Sequence, residues 1–412
     1  MTAGMSRAQR RVRGLGALAV AASWSVLFVG VAQPAAADTH SKQWYLSAMQ
    51  AEDMWKVTTG EGIKVAVVDT GVKSSTPSLQ GQVLKGVDVT GAQGDETDDY
   101  DGHGTTMAEL IAGTGEGGGL KGLAPGAKII PVRMSVADFM KKRDTVFSDM
   151  AKAIRAAAES DAQIISMSIA SDISSHEDRE AIKYAESKGK LFIAGVGNEG
   201  HKENRRAYPA AYREVVGVAS ADRKGKVSYY SQHSDTVDVA SPGSDIPKWC
   251  DSSFKSYCDG DGGTSAATAI ASASAALIWS LHPDWTANQV LNVLFDTAGR
   301  DWKDGTRSKY LGHGLIRPSM NVLKGKGEPG DPDISPLTKE RTTGPAGSSE
   351  KPADAASEQP AKNGAEADKP VAAEGTKSSG DESQLGLILG VAAVVAVLGG
   401  VAYAVVRRRK AA

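Results

Sequence analysis

Short apolar runs rich in Val and Ile recur through the first three quarters of the chain, separated by longer stretches whose apolar residues fall at helical spacing. Lys64–Val68, Ala127–Val132, Gln163–Met167, Leu191–Ala194 and Val215–Ala219 read as buried strands. His103–Ala112, Asp144–Glu159, Asp178–Ser187, Ser265–Leu281 and Ala287–Thr297 read as helices. Strand and helix taking turns predicts an α/β fold, with a mostly parallel sheet covered on both faces by helices and joined by right-handed crossovers. Ligands of such sheets collect at the carboxyl ends of strands. The glycine-rich Gly113–Gly122 lacks the Gly-Lys-Ser/Thr ending of a phosphate loop and reads as a loop near the cleft.

The flanks follow other rules. Residues 1–37 run from Arg7, Arg10, Arg11 and Arg13 through an apolar stretch to Ala35-Ala36-Ala37, the order of an export signal cut after Ala37. Arg10-Arg11 leaves the twin-arginine route open beside the general one. Residues 325–383 are dominated by Pro, Ala, Gly, Ser, Glu and Lys, a composition that predicts a disordered linker. Residues 384–406 are free of charge, and a helix of about 22 residues spans roughly 33 Å, enough for a hydrocarbon core of about 30 Å. The basic Arg407-Arg408-Arg409-Lys410 that follows predicts a cytoplasmic tail, 407–412, with everything before the span outside the cell membrane. The folded body is therefore expected over 38–324.

Composition sharpens this picture in two places. The 412 residues carry 47 basic and 49 acidic side chains, a net charge of -2, so no long-range field favours nucleic acid. The two cysteines, Cys250 and Cys258, lie close together in the exported body, where a disulfide is the commoner outcome than two free thiols. Two thiols are too few for a structural zinc site.

Three segments carry candidate chemistry, and each has a plain reading beside the chemical one. Val65-Ala66-Val67-Val68-Asp69-Thr70-Gly71 is an apolar strand stopping on an acid, which costs free energy unless something ionic or hydrogen-bonding meets it; a loop or cap acid is the alternative. Asp101-Gly102-His103-Gly104-Thr105 sets a histidine between glycines that allow close backbone approach, or else a surface residue. Gly262-Gly263-Thr264-Ser265-Ala266-Ala267-Thr268 places a serine at a helix start, where it is either an N-cap or a nucleophile beside amides aimed at negative charge.

Together, in the order Asp, His, Ser, the three segments resemble the subtilisin-like serine peptidases. The resemblance runs from about Gln43 to Val322. It is closer still to the mycosins, membrane-anchored proteases of type VII secretion systems, through Gln43-Trp44-Tyr45-Leu46, Ala51-Glu52-Asp53-Met54-Trp55 and Gly312-His313-Gly314, with the tether and anchor. It implies a subtilisin-like three-layer fold and the triad Asp69, His103 and Ser265, with Asn198 of Gly195-Val196-Gly197-Asn198 as oxyanion donor. It also implies that Ser168, Ile169, Ala170, Gly195, Val196 and Gly197 bind substrate.

The chain departs from the family pattern at four places. Ala266 and Ala269 stand where Met and Pro are usual, and Ala170 replaces the glycine of the substrate strand. Glu109 replaces a small residue after the histidine, with two places to go: solvent, or the cleft, where it would raise the pKa of His103. No cofactor is expected; Asp95, Glu96, Asp98, Asp99 and Asp101 could include calcium ligands but read more plainly as a solvated loop. Asp38–Thr59 is expected to pack on the body in place of a separate pro-domain. Two functions follow: an endopeptidase acting on exported proteins or peptides beside a type VII secretion membrane complex, or an idle subtilisin-fold scaffold for such a complex.

Overall fold

The computed structural model describes residues 39–134, 150–260, 262–303 and 305–342. The expected signal segment, most of the linker, the membrane span and the tail lie outside them. The strands in chain order are β1 (Lys64–Asp69), β2 (Val87–Asp88), β3 (Lys128–Arg133), β4 (Ile164–Met167), β5 (Leu191–Gly195), β6 (Val216–Ala221) and β7 (Val239–Pro242). They form one parallel sheet in the order β2-β3-β1-β4-β5-β6-β7. From β1 the chain builds outward to β3 and then crosses back to lay β4 on the other side. That reversal opens a crevice at the carboxyl ends of β1 and β4.

The sheet separates two apolar layers because strand side chains alternate between faces. Val65 and Val67 of β1 enter one layer, Ala66 and Val68 the other. The helices are α1 (Thr39–Lys42), α2 (Trp44–Ala48), α3 (Ala51–Met54), α4 (His103–Ala112), α5 (Met150–Glu159), α6 (His176–Ser187), α7 (Thr264–Leu281), α8 (Ala287–Asp296) and α9 (Pro318–Val322). Ile154 of α5 and Ile182 of α6 fill one layer, whereas Leu110 of α4, Ile270 of α7, Val290 of α8 and Val322 of α9 fill the other. The subtilisin-like three-layer α/β arrangement is the one expected.

Helix α7 lies against β4, β5, β6 and β7. Its Ala267, Ala271, Ala275 and Ala276 are buried, and small side chains let the helix axis approach the sheet. Among the described residues α7 is the one helix long and apolar enough to cross a membrane, but 83% of that stretch is buried in protein, so it is a core helix. Thr286 caps α8 with a reciprocal box to Gln289, and Ser175 caps α6 by accepting from the Asp178 N–H at 3.0 Å.

Residues 39–59 pack on the body. Tyr45 and Met54 are fully buried in the α7-side layer, and the Gln43 amide donates to the Lys121 carbonyl at 2.7 Å. The segment 325–342 differs from the expected linker. Ser335 and Pro336 are buried, Leu337 packs on the same layer, Asn288 donates to the Pro332 carbonyl at 2.9 Å and Arg213 pairs with Glu340 at 2.7 Å. A few apolar side chains and turn-forming prolines suffice to seat it, although its average composition is polar.

Candidate active site

Strand β1 ends on Asp69, whose carboxylate is 1% exposed. Its Oδ1 accepts the Thr70 N–H at 2.8 Å and lies 2.7 Å from His103 Nδ1. His103 is the first residue of α4, so the acid of the strand and the base of the helix meet at the crevice. Two glycines make that approach possible. Gly102 holds φ at +96°, and a Cβ on Gly104 would collide with the Gly71 carbonyl and stand 3.0 Å from the Asp69 Cβ.

Burial alone would lower the pKa of His103. The charge and hydrogen bond of Asp69 outweigh it and, with Asp101 and Asp99, push it up to about 9. About a third of the imidazole, 34%, stays open to solvent, which screens part of both effects.

Ser265 stands in the first turn of α7, where its backbone N–H has no intrahelical acceptor. Its hydroxyl donates to the Ser168 carbonyl at 3.2 Å, and the Ser168 hydroxyl donates to the Ser265 carbonyl at 3.1 Å. The serine is thus tied to the residue that follows β4, the strand beside β1, and its resting hydrogen bond goes to Ser168 rather than to His103. Catalytic hydrogen bonds of this kind often form only when substrate is bound.

Asn198 follows β5 and is exposed. Its Oδ1 accepts the Thr264 N–H at 2.9 Å and the Thr264 hydroxyl at 3.1 Å, which leaves Nδ2 as the donor available to a ligand. The Thr264 hydroxyl in turn accepts the Gly197 N–H at 3.2 Å. The sequence pattern does not single out Thr264, although its place before Ser265 in a Gly-Gly-Thr-Ser run is the available signal. An amide fixed in this way can stabilise a developing oxyanion.

The expected substrate-binding residues divide. Ser168 and Ile169 are half-buried and Ala170 is exposed, while Ser171 is bridged to Tyr208. Gly195, Val196 and Gly197 are buried. The Val196 side chain belongs to the apolar layer of α5 and α6, its N–H donates to Val218, and the Gly197 carbonyl accepts from Gln232. Strand alternation turns the Val196 side chain inward, which leaves its backbone as the part that could meet a substrate.

Glu109 takes neither expected place. It is 0% exposed, accepts from the Thr76 hydroxyl at 2.9 Å and the Tyr257 hydroxyl at 2.7 Å, and burial pushes its pKa up to about 7 against those two bonds. The partner Tyr257 sits on a hairpin of β8 (Lys248–Trp249) and β9 (Tyr257–Cys258), closed by a Cys250–Cys258 disulfide. Helix α7 continues through buried Ala266 and Ala269. The loop Gly113–Gly122 leaves the far end of α4, about 15 Å from His103 by helical rise.

The carboxylates of the acidic loop before α4 are met by protein donors. Asp95 accepts from Thr97, Asp98 from Asp95, Glu96 from Gly86 and Asp99 from Thr70 and Thr105, and Arg133 donates to the Asp95 carbonyl at 2.6 Å. Among the described residues no three His, Cys, Asp or Glu side chains gather to hold a metal.

Comparison with known proteins gives the same direction. Residues 60–314 match the subtilase family, Peptidase_S8. The major intracellular serine protease of Bacillus subtilis (strain 168) is 35% identical over 208 residues, 49% of this chain and 64% of that one, so the chain spans less than two thirds of that relative. Thermitase from Thermoactinomyces vulgaris is 36% identical over 206 residues, 50% of this chain and 71% of that one. A solved structure described as a serine protease MycP1, an essential component of the type VII (ESX-1) secretion system, is 28% identical. It superposes with a TM-score of 0.59 over 68% of this chain and 88% of that one. With the family match covering the sheet, both sides of the crevice and the start of α7, the chain belongs to the subtilase family of serine peptidases, S8.

Proposed function

We propose that the chain is a membrane-anchored serine endopeptidase that hydrolyses peptide bonds of exported proteins, with Asp69, His103 and Ser265 as its triad. The observation that carries this reading is the 2.7 Å bond between Asp69 and His103 at the end of β1, beside a Ser265 tied to the end of β4. An extended peptide pairs with the open backbone of Ser168, Ile169 and Ala170 as an added strand. The Ser265 hydroxyl swings from the Ser168 carbonyl to a neutral His103, attacks the scissile carbonyl and gives up its proton to the imidazole. Asp69 holds the tautomer and stabilises the imidazolium, which protonates the leaving amine; a water, deprotonated by the freed imidazole, then hydrolyses the acyl-Ser265 ester, and the imidazolium returns the proton to Ser265 as the acid product leaves. Asn198 Nδ2 and the Ser265 N–H receive the oxyanion.

The likeness to MycP1 supports a place beside a type VII secretion membrane complex, and the export signal and charge-free segment read in the sequence support a single-pass anchor with the peptidase domain outside. One observation favours the idle-scaffold reading: the resting Ser265 hydroxyl bonds the Ser168 carbonyl rather than His103. Cleavage of an internally quenched peptide library by the purified full-length chain decides between them. Turnover that disappears in Ser265→Ala is expected; equal background in both proteins would overturn the enzyme reading.

A further inference from the structure

Asp99 lies four residues before His103 and is 4% exposed. Its Oδ1 accepts the Thr70 hydroxyl at 2.9 Å, the Asp101 N–H at 3.0 Å and the Gly102 N–H at 2.9 Å. Its Oδ2 accepts the Thr105 N–H at 2.9 Å and the Thr105 hydroxyl at 2.6 Å. The donors come from the residue after Asp69, the two residues before His103 and the second residue after it. Thr70 closes the circuit, because the hydroxyl that donates to Asp99 also accepts the Gly104 N–H at 3.0 Å.

We propose that Asp99 is a positioning residue: its carboxylate ties the strand end that carries Asp69 to the helix start that carries His103, and so holds that pair at bonding distance. The inference rests on the serine-peptidase reading. Hydrogen bonds to an ionised carboxylate are shorter and about twice as strong as neutral ones, so a brace of this kind is stiff. An amide in its place keeps the volume, but its nitrogen cannot accept from Thr105, and one arm of the brace opens. Asp99 also belongs to the negative groups facing His103, with Asp69 and Asp101, so removing its charge lowers the basicity of the imidazole. A side chain that only supported the fold would lower the unfolding temperature when replaced and leave kcat of the folded protein unchanged.

The test compares the full-length chain with Asp99→Asn and Thr70→Val, reading kcat and KM on a peptide substrate across pH, with thermal unfolding as the check on folding. Asp99→Asn is expected to lower kcat by about 10- to 100-fold with little change in KM, the scale of an ångström-sized misplacement, and to move the acid limb of kcat/KM to lower pH. Thr70→Val keeps the charge and removes one arm, so it lowers kcat by roughly 10-fold with the limb in place. A folded Asp99→Asn with unchanged kcat and limb overturns the proposal. Should that variant fail to fold, an unchanged kcat in Thr70→Val overturns it. Absence of Ser265-dependent turnover in the unsubstituted chain would instead sink the peptidase reading beneath it.

Discussion

At the end of β1 the side chains are enclosed: Asp69 is 1% exposed, Asp99 4%, and their carboxylates are met by donors from both strand and helix. At the start of α7 the polar groups are held from behind and left open in front, with Asn198 exposed and the Ser265 hydroxyl bonded across to Ser168. The difference follows from what each side must do. On the proposed mechanism, a proton-handling pair gains from a fixed geometry and a low local dielectric, while an attacking hydroxyl and an oxyanion donor must meet a substrate that arrives later.

Substitutions on the two sides therefore differ in size and in kind. The largest loss is expected for Ser265→Ala, about 10⁴- to 10⁶-fold in kcat, with unfolding temperature nearly unchanged because the removed hydroxyl makes one long hydrogen bond. Active-site titration against a peptide substrate checks it. Asp69→Asn follows at about 10⁴-fold, since the amide reverses the tautomer preference of His103. It should also change the pH dependence of stability. An imidazole raised to about 9 stabilises the fold fully below its ordinary 6.5, and that stabilisation is lost as pH rises through 9; Asp69→Asn should flatten this window in chemical denaturation.

Asn198→Ala is expected to cost about 10²- to 10³-fold in kcat with KM little changed, as for other oxyanion donors, because Nδ2 acts only on the developing charge. A loss confined to KM would place Asn198 in ground-state binding and break the comparison. The smallest effect concerns a residue on neither side. Glu109, raised to about 7, favours folding while protonated, so stability present below 4.5 is lost as pH rises through 7, by up to roughly 3 kcal/mol. Glu109→Gln, which stays neutral, should remove that slope in urea titrations and leave kcat within about threefold.

Much of the fold was legible because β1, β3, β4, β5 and β6 are each rich in Val, Ile, Leu or Ala, as a sheet buried on both faces requires. Strands β2 and β7 were not. Val87–Asp88 is two residues long, and Val239–Pro242 reads Val-Ala-Ser-Pro, too short and too polar to stand out without its neighbour β6. The cap of α6 at Ser175 was readable, but a charged first turn masked the helix start. Sequence patterns name side chains by type and spacing, so they bring forward Asp69, His103 and Ser265; they do not reveal which acid of a dense acidic loop turns inward. Asp99 and Glu109 emerge only when their donors are in place, from Thr70, Thr105, Thr76 and Tyr257.

The most direct measurement is the pH-dependent rate of fluorophosphonate labelling of the full-length chain, with the modified residue mapped by mass spectrometry. Modification at Ser265 is expected, at a rate that rises as His103 loses its proton, with the midpoint above the ordinary imidazole value of 6.5 and toward 9. No labelling at any pH, or labelling of equal rate in Ser265→Ala, would contradict a serine nucleophile at the start of α7.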